Sequence, residues 1–130
     1  MIRKEFERLV AQEFPKAIPE KFRKRIENVA ILVEDRPSEE TRRGEGLERD
    51  ETLLGYYRGV PLAARGVDYG VGPTLPDTIT LYQIPIEEAA GNDLDAIRRV
   101  VRETVWHEVA HHFGFNEEAV RKKERQRRKT

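Results

Sequence analysis

The sequence predicts an α+β domain in which a small sheet packs against one long helix. Three observations carry that prediction. Apolar residues recur at three- and four-residue steps near both ends of the chain, the spacing of helices with one buried face. Between them lie a continuous apolar run and an alternating run, both of strand length. The 130 residues suffice for one domain, spanning 1–130, with one modest core.

Composition narrows the class. Charged residues make up 37% and hydrophobic ones 38%, the balance of a folded domain rather than a disordered chain. Lysine plus arginine equals aspartate plus glutamate at 24 each, so no net charge draws the protein to nucleic acid or to an anionic membrane. With no cysteine there is neither a disulfide framework nor a thiolate metal site. The chain opens directly into charged sequence, and no apolar run approaches a signal peptide or a membrane span. A cytoplasmic protein is expected.

Residues 2–14 read as an amphipathic helix with Ile2, Phe6, Leu9, Val10 and Phe14 on one side, broken by Pro15 and Pro19. Phe22, Ile26 and Val29 mark a short second helix. Residues 29–33 are continuously apolar, which predicts a central strand buried on both faces. Residues 38–52 are mostly charged and include Gly44 and Gly46. They read as a flexible, solvated loop, alternatively a flap over a cleft. Residues 53–61 form a second strand, with Gly55 a candidate bulge. Its Tyr56, Tyr57 and Arg58 are candidates to steady an oxyanion, although strand tyrosines ordinarily serve packing.

After a connecting loop over 65–76, residues 78–84 alternate polar and apolar up to Pro85. That pattern predicts a half-buried edge strand, along which an extended peptide could pair. Gly91, Asn92, Asp93 and Asp95 then signal a helix start with Asn92 as cap. Leu94, Ile97, Val101, Val105 and Val109 give this helix its apolar stripe, while Arg98, Arg99 and Arg102 give its first half a wet face. Over residues 104–113 the helix becomes apolar nearly all round, so it is entering a core and Glu108 should be partly buried. Ala119 and Val120 suggest a short last helix, followed by a basic tail over 121–130 that is expected to be solvated.

The stretch that carries chemistry is His107-Glu108-Val109-Ala110-His111. Residues four apart on a helix stand one above the other, so two imidazoles so spaced can share one divalent metal. A glutamate next to the first is placed to act as a base on water. All three histidines of the chain fall between 107 and 112, where scattered ones would suggest background. Gly114 can end the helix and let the chain double back to offer a third ligand, Glu117 at the eleventh place of the pattern. Glu118 is the substitute, and Asn116-Glu117-Glu118 also reads as the capped acidic start of a helix with no metal role. His112 points about 100° away from His111 and suits packing better than ligation.

The segment from His107 through Gly114 resembles the core of a family of small bacterial, single-domain, zincin-like proteins regarded as metallopeptidases. Further similarity lies in Asn28-Val29-Ala30-Ile31-Leu32-Val33-Glu34-Asp35-Arg36-Pro37, in Leu53-Leu54-Gly55-Tyr56-Tyr57-Arg58-Gly59-Val60-Pro61, and in Leu75-Pro76-Asp77-Thr78-Ile79-Thr80-Leu81-Tyr82. The resemblance implies a minimal zincin fold, a small mixed sheet packed on the helix of His107 and His111, with metal ligands at His107, His111 and the acid at 117. That acid is commonly aspartate in the family and is glutamate here. The function expected is a peptide hydrolase using one zinc ion per chain, with Glu108 as general base. The alternative is a non-catalytic metal-binding or peptide-binding module of the same fold. A peptide or protein substrate aligned on strand 78–84 is the expected partner.

Overall fold

A computed structural model describes residues 1–23, 26, 28–59 and 75–112. In chain order its elements are α1 (Arg3–Ala17), α2 (Glu20–Arg23), β1 (Val29–Glu34), α3 (Glu39–Gly44), β2 (Gly55–Arg58), β3 (Asp77–Tyr82), α4 (Gln83–Ala90) and α5 (Leu94–His112). The expected final helix, the basic tail 121–130 and most of the 65–76 connection lie outside the described residues.

The α+β class with a mixed sheet on the long helix is as the sequence predicts, but the strand order is β1-β3-β2. β3 is therefore the middle strand, parallel to β1 from the Val29–Asp77 pair to Glu34–Tyr82 and antiparallel to β2 from Gly55–Leu81 to Arg58–Thr78. The two strand assignments made from pattern exchange places. Residues 29–33 sit at an edge, with Leu32 46% exposed, while β3 has a ladder partner on each side. An apolar run cannot report which neighbours a strand acquires, and the alternation in β3 marks two differently covered faces rather than a wet one. Ile79 and Leu81 enter the core beneath α5, and Tyr82 on the other face is buried as well.

Pro85, taken to end a strand, stands in the first turn of α4, where a helix has no use for its missing N–H. Pro15 likewise lies inside α1, in the last turn. The Arg23 side chain donates to the carbonyls of Pro15 (2.5 Å) and Ile18 (3.0 Å) and so satisfies acceptors near that helix end.

The charged segment 38–52 contains α3. Ser38 caps it by accepting the Thr41 N–H at 3.1 Å. Arg42 then donates to the carbonyls of Glu48 (2.7 Å), Arg49 (3.3 Å) and Glu51 (2.8 Å), which folds the rest of the segment back on the helix. Such side-chain-to-backbone bonds leave no hydrophobic periodicity, so the pattern that reveals other helices is silent here.

Between α4 and α5 the chain turns through two left-handed residues, Gly91 (φ 66°) and Asn92 (φ 61°). The cap of α5 is thus Asp93, whose carboxylate accepts the Ala96 N–H at 2.9 Å, and not Asn92. Helix α5 buries Ile97, Val101, Thr104, Val105, Trp106, Val109 and Ala110, while Leu94 at its start stays half exposed. Its arginines are not simply a wet face. Arg98 (3.2 Å) and Arg102 both pair with Glu13 of α1, a carboxylate only 1% exposed. α1 and α5 are joined by this ionic cluster above Phe6, Leu9 and Val10. Among the described residues no helix is long and apolar enough to cross a membrane.

Candidate functional site

Helix α5 carries His107, Glu108 and His111 on its C-terminal two turns. The two imidazoles are one turn apart, exposed, with ring centroids 4.3 Å from each other and planes inclined by 53°. Exposed imidazoles so close together are the donor type and spacing that suit a divalent ion such as zinc. They supply two donors. Among the described residues no set of three histidines or carboxylates forms a metal-binding group. Glu117 and Glu118, the candidates for the third ligand, lie outside the described residues.

Glu108 sits beside the pair but faces the sheet. It is partly buried, as its place on an increasingly apolar helix implies. Burial pushes its carboxyl up to about 7. A hydrogen bond from the backbone N–H of Tyr57 partly offsets that, and the charge of Glu45 adds to it. The Tyr57 amide can reach Glu108 because of the phase of the ladder. Tyr82 donates to the Leu54 carbonyl at 3.0 Å, which makes Leu54, Tyr56 and Arg58 the positions bonded to β3. Gly55 and Tyr57 then turn their backbone groups toward the outer edge of β2.

His112 joins a different set of contacts. Its ring stacks on Tyr57 with centroids 3.8 Å apart and planes 17° from parallel. Its Nε2 lies 3.7 Å from Oδ2 of Asp77, the same oxygen that accepts the Tyr57 hydroxyl at 2.8 Å. Asp77 is 7% exposed. Gly59 makes room for the ring, since a Cβ there would stand 2.9 Å from His112 Cε1. The end of α5 is thereby fixed to the sheet by its third histidine. Tyr57 thus donates its hydroxyl to Asp77 and stacks its ring on His112. Tyr56 is tied to Glu45 by a hydrogen bond that raises its hydroxyl pKa, and Arg58 lies over the Tyr56 ring at 5.6 Å.

On the other flank of His107 and Glu108 is a cavity of about 520 Å³. It runs between residues 52–55 and the face of α5 made by Val100, Glu103 and Thr104, with Ala89 of α4 at one side. Gly55 fits here by close approach, not as a bulge: the β2–β3 register is regular through it. A Cβ at Gly55 would stand 2.7 Å from Thr104 Cγ2 and 3.2 Å from Leu81 Cδ2. Neither the cavity wall nor Asp77 announces itself in the sequence. The only hints are a glycine in a strand and a carboxylate opening an apolar one.

Comparison with known proteins agrees with this architecture. The profile of a family described as zincin-like metallopeptidases matches residues 26–127. A solved structure, a conserved hypothetical protein from T. thermophilus, is similar at 26% identity and a TM-score of 0.53, over 87% of this chain and 94% of that one. No curated protein matches the chain.

Proposed function

The chain belongs to the zincin-like metallopeptidase family, and on that premise we propose that it is a zinc-dependent peptide hydrolase with Glu108 as general base. One juxtaposition supports the reading above all: two exposed imidazoles 4.3 Å apart, next to a partly buried carboxyl whose pKa is about 7. His107, His111 and Glu117 would hold one zinc ion per chain. When bound, zinc supplies a Lewis acid that acidifies water and polarises a carbonyl.

Glu108 takes the proton of the attacking water and carries it to the departing amine nitrogen. A base whose pKa lies close to the working pH accepts and releases a proton with similar ease. The Tyr57 amide orients the carboxylate without consuming it, because a carboxylate offers about four lone-pair sites. The peptide would lie extended along the outer edge of β2, the antiparallel strand beside α5. That replaces the expected alignment on strand 78–84, since β3 is the middle strand.

Metal analysis and a peptide-library assay on the same variants test the reading. His107→Ala and His111→Ala should each nearly abolish zinc binding, and Glu117→Ala should weaken it strongly while Glu118→Ala does little. Glu108→Gln should hold zinc and cleave roughly 100-fold more slowly or worse. Full zinc stoichiometry in the double histidine variant would remove the metal site. Zinc-loaded wild type that cleaves nothing, yet binds peptides as well as Glu108→Gln does, would leave a non-catalytic module.

A further inference from the structure

We propose that the cavity beside His107 and Glu108 is a side-chain pocket that receives one large apolar residue of the peptide, adjacent to the bond at Glu108. The proposal rests on the peptide-hydrolase reading for where the bond lies, but the pocket's chemistry is read from its own walls.

Leu53, Leu54, Ala89 and Val100 line the cavity, and the methyl of Thr104 points toward Gly55 at its floor. These are hydrocarbon surfaces, and water held against them gains by release into bulk. The volume, about 520 Å³, lies within the ordinary span of small-ligand pockets, roughly 300–1,000 Å³. A leucine or phenylalanine side chain fits with its adjoining backbone to spare. A whole folded domain does not.

The location ties this pocket to the chemistry. His107 and Glu108 are themselves wall residues, so a peptide carbonyl held at Glu108 has its neighbouring side chain at the cavity mouth. Gly55 belongs to both the cavity and β2, whose outer edge carries the backbone groups of Gly55 and the carbonyl of Tyr57, the Tyr57 N–H being held by Glu108. Side chains of an extended peptide alternate in direction, so one laid on this edge turns every second residue toward α5. The described residues that line the cavity carry two acids, Glu103 and Glu108, and no lysine or arginine. Glu103 leans along the helix toward Arg99, 3.9 Å away. An acidic side chain entering the pocket would lose its hydration against these apolar walls and find no lysine or arginine among their described residues, which costs affinity whether position 108 holds glutamate or glutamine. Large apolar side chains therefore win over small and acidic ones.

The test uses full-length, zinc-loaded Glu108→Gln and the peptides acetyl-Gly-X-Ala-amide with X as Leu, Phe, Ala or Asp. Amide shifts are followed by NMR titration. Leu and Phe peptides should bind about tenfold tighter than Ala, the scale of burying a few more CH2-sized groups in a half-open site, with Asp the weakest. The shifts should centre on Leu53, Leu54, Ala89 and Val100. Ala89→Phe, made at an exposed position of α4, should fill the mouth and erase the preference; Leu53→Glu, on the other wall, should do the same. Equal binding of all four peptides, shifts centred elsewhere, or a preference that survives both wall variants would overturn the pocket. The two readings separate cleanly. Preferential binding without any cleavage by wild type leaves the pocket standing and removes the hydrolase. Cleavage by wild type with no dependence on X does the reverse.

Discussion

Replacing Glu108 with glutamine in the metal-free protein should stabilise the fold, and by an amount that depends on pH. Burial places this carboxyl at about 7, against an ordinary value of 4.5. Between those values the folded protein holds a proton that the unfolded chain has released. Stability therefore falls as pH rises through that window, and the full cost is present above about 7. Each pH unit between folded and unfolded values corresponds to about 1.4 kcal/mol, so the ceiling is about 3 kcal/mol. The side chain is only partly buried, and screening by water brings the expected cost to about 2 kcal/mol. Glutamine keeps the acceptor for the Tyr57 N–H and carries no charge. In chelator at pH 8, Glu108→Gln should gain about 2 kcal/mol, or roughly 6–10 °C in Tm for a domain of this size. At pH 5, where the unfolded carboxyl is still partly protonated, the gain should shrink to about 0.5 kcal/mol. Paired urea and thermal melts of wild type and variant at pH 5, 6.5 and 8 measure this. A gain that is absent, or equal at pH 5 and pH 8, would refute the claim that a buried carboxyl is being ionised at a cost.

Glu13→Gln should act with the opposite sign. Burial alone would raise this carboxyl, but the hydrogen bond from Arg102 and the charge of Lys16 overcome it and hold the carboxyl below its ordinary value. The stability it contributes is present above the unfolded carboxyl value and is lost as pH falls through the folded one. The variant should lose about 2 kcal/mol at pH 7, with a smaller gap at pH 3, by urea denaturation; a gap that does not shrink would contradict the ionic account. Gly55→Ala should cost about 1–3 kcal/mol because its Cβ would stand 2.7 Å from Thr104 Cγ2. Adding Thr104→Ser, which deletes that methyl, should recover part of the loss in thermal melts, whereas strict additivity would point to another cause. Tyr57→Phe removes the hydroxyl bonded to buried Asp77 and should cost about 1–2 kcal/mol, read in the same melts. No loss would mean that Asp77 is satisfied without it.

What the sequence determined by itself was whatever depends on spacing along one element. The helical step sets His107 and His111 one above the other, and the loss of charge after Thr104 is enough to foresee that Glu108 is partly buried. The apolar stripe of α5 and the α+β class follow from periodicity in the same way. What tertiary structure decided was everything that depends on which elements become neighbours. Strand order is such a property: residues 29–33 and 77–82 each carry the pattern of a strand, but only the partner found in three dimensions makes one an edge and the other the middle. Arg98 and Arg102 read as a solvated face until α1 brings the Glu13 carboxylate to them. Asp77 and His112 lie 35 positions apart in the numbering and meet because β3 runs beneath the end of α5. Gly55 has its reason in a methyl group on another element. Side-chain contacts between elements leave no period in the chain, because their partners are set by packing and not by a repeat, and so the motif is legible while the walls around it are not.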